Sequence, residues 1–569
     1  VVALNEPSER LRITVKKTTA RKPVVVARYG RFVVLHKLTG APFFPPFIPD
    51  LHHVSNQVAS IVHRFGCKMP RYDGDVFSDF YTYSRVFLVK NLEPLISREV
   101  EDFDGWLSNT PYTSVRKLYL ASLRHSEIAC GKKVSECLSF IKWEGYMEPK
   151  NPRAINSPSD LSKVILGPLF KAIDKKTFEM KWFVKGTDPK QWPSRLRDLF
   201  GRRPVVGTDF KSFESHHRDG FSRIVHFWIM HMIRGLPVAH STRRLISKLV
   251  LGHNVTKFST CKAEILQRLM SGALWTSSAN GVLNLLIMSY LTSRNAMPHL
   301  TPEQLAFYAS ESFVGVFEGD DGLSSATRVD RDLIQRLGVK LTLDESPSFD
   351  TASFCGIVCQ YESDAVVTDP VKVLRSFFVI PPKYMNSSPK IHMQLYRAKA
   401  LSYKYAYNDC PIVGPLCHKI CDLTRSVDAR VISSETKLWR LRDVPINELM
   451  AQWKNTPKVS DEARAVVSQQ FRVSVEQQLI IESEIAASVD GIFRVDLELF
   501  DLETGSVSHK LMRDCFEHAR INLSDHEPEG WNGPSPVDAI VKNGLYVGSI
   551  GIVPNKHDRG FRGKIEYGH

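Results

Sequence analysis

The chain has 569 residues, 43% of them hydrophobic, enough to bury a large core and form several subdomains. Its formal charge is +14, and the first forty residues hold nine Lys or Arg against two Glu, a balance that suits a phosphate-rich partner. Ten scattered cysteines argue against a disulfide framework and agree with a reducing cytosol, and no Gly-x4-Gly-Lys-Ser/Thr run marks a fused helicase.

The sequence opens Val-Val-Ala without Met or a signal-peptide pattern, as a processed polyprotein piece or a trimmed chain would. FIKWEGYMEPKNPRAINSPSDL then brings together Lys142, Lys150 and Arg153. Pro149, Pro152 and Pro158 keep this stretch extended rather than helical. An extended strand bearing cations suits a triphosphate channel. Lys185, in WFVKGTDPKQW, is a further candidate for template or nucleotide contact. Val205 and Val206 read as a buried strand whose end delivers the Asp209 carboxylate, with Glu214 five residues on. His216 and His217 follow, but neighbours on a strand face opposite ways, so joint metal ligation is not expected.

SGALWTSSANGVLNLLIMSY begins as a Ser271-Gly272 loop and continues as an apolar helix. Thr276 and Asn280 are at i and i+4 and share one helical face, which can offer a hydroxyl and an amide to a ribose 2′-OH. Glu214 is expected to hold Asn280 in place, and Gly272 to let Ser271 approach template and nucleotide. No charge interrupts Leu269 to Ser293, but seven Ser or Thr, two Asn and two Gly in that run favour a buried core helix over a membrane span. Phe313 to Phe317 reads as a second strand, and Gly319-Asp320-Asp321-Gly322 as a tight turn with Gly at both ends.

Asp209 and Asp320 are 111 residues apart, so only adjacent strands of one sheet could bring them together. Meeting there, they offer two or three hard oxygen ligands suited to Mg²⁺ or Mn²⁺, with Asp321 the weaker or outer one. The chemistry implied is an in-line displacement with two ions, as in nucleotidyl transfer.

Downstream, DRDLIQRLGVKLTLDES reads as a helix stopped at Gly338 and then a strand bearing Lys340. Residues 437–453 and 459–487 read as helical, and from Ser524 onward eight Gly and four Pro break up the chain. Cys410, Cys417, His418 and Cys421 cluster, but their spacing departs from familiar zinc patterns.

The ordered set Asp209 to Glu214, Ser271-Gly272 with Thr276 and Asn280, and Gly319-Asp320-Asp321 resembles motifs A, B and C of the RNA-dependent RNA polymerases of positive-strand RNA viruses. The resemblance covers roughly residues 100 to 365. TPYTSVRK and the motif spacing look most like its tombusvirus and nodavirus side. It implies an α+β right-hand fold with an antiparallel palm sheet flanked by helices. N-terminal extension and fingers would occupy 1–200, palm 201–219, a fingers insertion 220–262, palm again 263–365, thumb 366–523 and a tail 524–569.

It also implies that Asp209 and Asp320 bind the two metals, and that Ser271, Thr276 and Asn280 recognise the nucleotide. Lys150-Asn151-Pro152-Arg153 stands for the family's Lys-x-x-Arg core, and Lys340 for a motif D general acid protonating pyrophosphate. Phe354-Cys355-Gly356 resembles a motif E hairpin. Glu214 stands where many members have Asp, which keeps the charge on a longer arm. A reverse transcriptase would carry an aromatic gate there and lack the motif B Asn. A non-catalytic RNA-binding scaffold would need none of these carboxylates. The partners implied are an RNA template and nascent strand, ribonucleoside triphosphates, and viral or host replication proteins. The location implied is the host cytoplasm, at membrane-associated replication complexes, with membrane contact through partners or an absent segment.

Overall fold

The computed structural model describes residues 8–15, 32–37, 48–124, 135–146, 150–325, 329–429, 438, 441, 444–495 and 521–522. The tail at 524–569 and most of the basic first forty residues lie outside them.

Helices and strands are mixed along the chain. The first strands are β1 (Arg12–Val15), β2 (Val33–His36), β3 (Glu136–Ile141), β4 (Ala154–Pro158) and β5 (Val205–Phe210). There follow β6 (His253–Lys257), β7 (Cys261–Leu266), β8 (Gly315–Glu318), β9 (Asp321–Ser325) and β10 (Leu341–Ser346). The last are β11 (Ile357–Cys359), β12 (Val366–Thr368), β13 (Ile492–Val495) and β14 (Ile521–Asn522).

One sheet has the order β14-β1-β7-β6-β3-β4; another, antiparallel throughout, has the order β10-β5-β9-β8. Of the extended stretch expected around Pro149, Pro152 and Pro158, Ala154–Pro158 is strand β4, paired antiparallel to β3; Pro152 precedes it and Pro149 lies outside the described residues. Strand β7 runs across the 262/263 boundary expected from sequence and belongs to the six-stranded sheet.

The inner part of the four-stranded sheet, β5, β8 and β9, is buried on both faces while edge strand β10 is not, which is why β5 opens with two consecutive apolar residues. Val205, Val316 and Leu323 pack with C-terminal residues such as Val358 and Leu416. Val206 and Phe317 point the other way, into a core with Phe170, Ile224, Leu283 and Ile287. Those residues come from the Asp160–Phe178, Asp219–Met232 and Thr276–Ala296 helices. The last of these is buried without a break from Ser278 to Leu291, so its uncharged run belongs to the core. Among the described residues no helix is long and apolar enough to cross a membrane.

The C-terminal region is helical, as its periodicity suggests, but the boundaries differ. Residues 459–487 form two helices, Asp461–Phe471 and Val475–Ala487. Arg472 at φ 57 breaks the first, and Ser474 with Gln477 forms a capping box that starts the second. Among the described residues of 437–453 the α-helix is Ile446–Met450, begun just after Pro445. Cys355 and Gly356 both have positive φ (55 and 71), the sign pattern of a type I′ hairpin, and Phe354 bridges Ile357 across it.

Candidate active site

Strand β8 ends at Glu318 and β9 begins at its register partner Asp321, so Gly319-Asp320 is a two-residue turn. Gly319 has φ +64 and Asp320 does not share the positive sign, which is the type II′ pattern. The four-residue turn expected from sequence is thereby corrected. Gly322 lies inside β9 opposite Phe317, where a Cβ would come within 2.8 Å of the Phe317 ring and of Thr208 Oγ1.

Thr208 of β5 pairs with Gly322, and its hydroxyl donates to the Asp320 carbonyl at 3.4 Å. The next residue is Asp209, so adjacent strands bring Asp209 and the Asp320 turn to one end of the sheet. Both residues are exposed there, as is Asp321. Despite that exposure, desolvation of the Asp320 carboxyl raises its pKa; the Glu214 charge adds to this, while Arg153 and Arg64 oppose it. Its negative charge is therefore under-compensated, which a divalent cation would relieve. Among the described residues, however, no three His, Cys, Asp or Glu side chains gather as a metal cage. Asp209, Asp320 and Asp321 are thus not a closed three-ligand set. A hard ion bound by one or two carboxylates completes its shell with water and phosphate oxygens, which this open arrangement allows.

Asn284, absent from the sequence expectations, holds the turn in place. Fully buried, it donates from Nδ2 to the Asp320 carbonyl at 2.8 Å, with Thr208 Oγ1 at 3.3 Å and the Gly319 carbonyl at 3.4 Å. The signal was available: Asn284 is one helical turn beyond Asn280. Asn284→Ala removes the shorter of the two hydrogen bonds to that carbonyl and leaves Thr208 alone to hold it, at a cost of about 1–3 kcal/mol. A lower Tm and a kcat reduced by roughly tenfold or more are expected; wild-type kcat in a stably folded variant would show that the turn needs no such tie.

Glu214 does not orient Asn280. Its carboxylate pairs with Arg64 Nε at 3.4 Å, while Ser215 and Ser212 donate to the Arg64 and His63 carbonyls. The Val54–His63 helix thus grips the segment after Asp209. Asn280 Oδ1 instead accepts from His217 Nε2 at 2.9 Å. His216 Nε2 accepts the Lys340 backbone N–H at 2.8 Å, so the two histidines serve different elements. Burial foremost holds both rings at a pKa of about 3, so both are neutral. For His217 that leaves Nε2–H as the donor, and among the described residues the Asn280 amide NH₂ is unspent.

These histidines make a pH prediction. The unfolded chain accepts protons on them below about 6.5, whereas the folded chain resists until about 3. Their contribution to stability is complete above 6.5 and lost as pH falls toward 3. In Tm measured from pH 7 to 4, His217→Gln should show a shallower decline than wild type; equal slopes would mean that His217 is protonated in the fold.

The loop before the Thr276–Ala296 helix is shaped by its own atoms. Gly272 N–H donates to Thr276 Oγ1 at 3.1 Å, and that hydroxyl lies 3.0 Å from the Met270 and Ala273 carbonyls. The Thr276 hydroxyl, expected to face a ribose, is spent on the loop. Asn156 N–H donates to the Ser271 carbonyl at 2.6 Å, and Gly272 at φ +113 lies so near that a Cβ would be 3.0 Å from the Asn156 carbonyl oxygen.

Two of the three upstream cations are already partnered. Arg153 makes a two-pronged contact with Glu144 (Nε 2.6 Å, Nη2 2.7 Å), and Lys142 Nζ reaches the same carboxylate at 3.0 Å. Burial would raise the Glu144 pKa, but Arg153, Lys142 and Tyr146 outweigh it and hold it at about 2. Lys150 is exposed. Lys185, expected at the template, donates to Glu318 Oε1 at 2.6 Å and so braces the residue before Gly319. Lys340 precedes β10 rather than lying in it, and its ammonium donates to the Lys68 carbonyl at 3.1 Å. In the cysteine cluster the three thiols are buried, and His418 Nδ1 accepts from Lys404 Nζ at 2.8 Å.

Residues 161–359 match the family model described as viral RNA-dependent RNA polymerase. This segment is a viral RNA-dependent RNA polymerase domain. It spans Asp209, the Asn280 helix, the Asp320 turn and Lys340, and leaves Lys142, Lys150 and Arg153 just outside. No curated protein matches the chain. The polymerase family acts on RNA templates with nucleoside triphosphates and uses divalent metals, so the chain carries RNA-directed RNA polymerase activity.

Proposed function

We propose that the chain replicates a viral RNA genome by template-directed transfer of ribonucleotides to an RNA 3′ end. The observation that carries this reading is the meeting of Asp209 and Asp320 at one sheet end, with Asn280 on the neighbouring helix keeping an amide that no described residue occupies. In this reading the four-stranded sheet is the palm, the six-stranded sheet belongs to the fingers, and the C-terminal helices are the thumb.

Asp209 and Asp320 would hold two Mg²⁺ or Mn²⁺ ions, with Asp321 at the margin. When bound, the ions supply charge stabilisation at the primer 3′-hydroxyl and at the departing pyrophosphate. The protein's own groups do the rest. Lys150 and Arg153 neutralise the triphosphate, Arg153 doing so while anchored on Glu144. Asn280 Nδ2 meets the ribose 2′-OH, with His217 fixing the amide plane. Lys340 gives the pyrophosphate its proton on leaving the Lys68 carbonyl.

Primer extension on an RNA template, with ribonucleotides against deoxyribonucleotides, tests the reading. Incorporation restricted to ribonucleotides is expected. RNA binding without incorporation would make the chain a scaffold, and efficient deoxyribonucleotide use would make it a reverse transcriptase. Lys150→Ala and Arg153→Ala should raise KM for nucleotide or lower kcat by about tenfold while RNA affinity changes little. An equal loss of RNA affinity, with nucleotide kinetics intact, would move both cations to the template surface.

A further inference from the structure

A cavity of about 600 Å³ lies where residues 8–10, the loop between the Val54–His63 and Gly74–Asn91 helices, and the start of the Asp219–Met232 helix meet. None of Asp209, Glu214, Asp320 or Asp321 lines it. Its charged lining is lopsided: Arg10, Lys68, Arg71, Arg218 and Arg268 against Glu9 and Asp219.

Among the described residues the two acidic groups of the lining answer only part of this charge. Asp219 is shared, its Oδ1 with Arg10 at 3.0 Å and its Oδ2 with Arg218 at 3.3 Å. Arg268 is 5% exposed and donates to the Phe65, Cys67, Leu266 and Gln267 carbonyls, which take four of its five hydrogens but do not neutralise its charge. Arg218 Nε is buried and lacks an acceptor among the described residues. Burial accordingly depresses the Arg218 pKa and holds that of Arg268 at about 10. Gathering cations in a concave wall without matching anions is costly unless a ligand supplies the charge.

We propose that this cavity is a polyphosphate-binding site, separate from the catalytic carboxylates, filled by a nucleoside triphosphate or by pyrophosphate. Three arguments set the ligand class. The surplus of cations matches an anion of several charges rather than one. The volume is that of a small-molecule pocket. The cations line a concavity, whereas an RNA backbone needs a stripe. The site also touches the catalytic machinery: Arg218 directly follows His216 and His217, and the Lys68 carbonyl receives the Lys340 ammonium. A bound polyphosphate would therefore restrain the loop against which Lys340 rests.

The test uses the full chain with a fluorescent GTP analogue, in EDTA and without RNA, so that neither metal nor template contributes. Binding is expected in wild type and equally in Asp320→Asn. Arg71→Glu and Lys68→Glu, both exposed positions at which the fold should survive, should weaken it by roughly tenfold or more. Competition separates the two ligand sources: displacement by pyrophosphate assigns the product as well as the substrate, and displacement by GTP alone assigns the nucleotide. Absence of metal-free binding, its loss in Asp320→Asn, or its indifference to Arg71→Glu would overturn the proposal. So would a fall in single-stranded RNA affinity in Arg71→Glu with nucleotide binding intact. Because the readout is binding, it stands or falls apart from whether the chain extends a primer.

Discussion

Asp320→Asn is expected to lower nucleotide incorporation by at least roughly a hundredfold while RNA affinity stays near wild type. The amide keeps the shape of the carboxylate and the turn set by Gly319, but removes the charge that would hold metal. The backbone carbonyl of residue 320 can still receive Asn284, so the local fold has no reason to fail. Stability should move the other way. The folded protein raises the Asp320 pKa, so the ionised carboxylate is less favourable there than in the unfolded chain. At neutral pH that group opposes folding, and removing its charge should leave Tm unchanged or raise it. A carboxylate kept at the expense of stability is what a functional group looks like. Retention of more than about a tenth of wild-type incorporation would show that Asp320 is not a metal ligand. A lowered Tm would show that its charge is structural instead.

What could be read from the sequence was local. Val205 and Val206 announce β5, Gly319 announces the turn, and the uncharged run before Arg294 announces a buried helix, because each depends on residues within a few positions. The meeting of Asp209 and Asp320 also followed, since two apolar strands ending in carboxylates have few ways to share a sheet. Partners supplied from a distance did not follow. Glu214 is held by Arg64, 150 residues upstream, and Lys185 by Glu318, 133 residues downstream. Nothing in periodicity links such pairs. The parallel pairing of β2 with β13, which ties residues 33–36 to 492–495, was equally hidden.

A different failure concerns polar groups counted as free. Thr276 is assigned to a ligand by type and spacing, yet the fold spends its hydroxyl on loop atoms, and Arg153 can serve a ligand only from its anchor on Glu144. A half-buried hydroxyl or guanidinium finds a protein partner before any ligand arrives. Spacing identifies which side chains share a face; only packing decides which of them remain unspent.

Asn280 is one that remains, and Asn280→Ala should reduce discrimination between ribo- and deoxyribonucleotides by roughly tenfold. Its Oδ1 is occupied by His217, whose burial keeps the ring neutral, so the amide plane is fixed and Nδ2 is the group left to meet a 2′-OH. A site built to hydrogen-bond a hydroxyl rejects a ligand lacking it, because its own polar group is then left unpaired. Removing the amide abolishes that penalty for deoxyribonucleotides and the gain for ribonucleotides together, and a bond of about 1–2 kcal/mol sets the size of the change. The measurement is the ratio of kcat/KM for GTP over dGTP on one RNA template. His217→Leu serves as the companion variant: with its tether gone the amide can rotate, so the ratio should fall in the same direction but less. If Asn280→Ala lowered both rates equally, the amide would be supporting the nucleotide site without reading the sugar. If the ratio stayed intact in both variants, ribose selection would reside elsewhere, with Glu214 and its Arg64 partner the next groups to test.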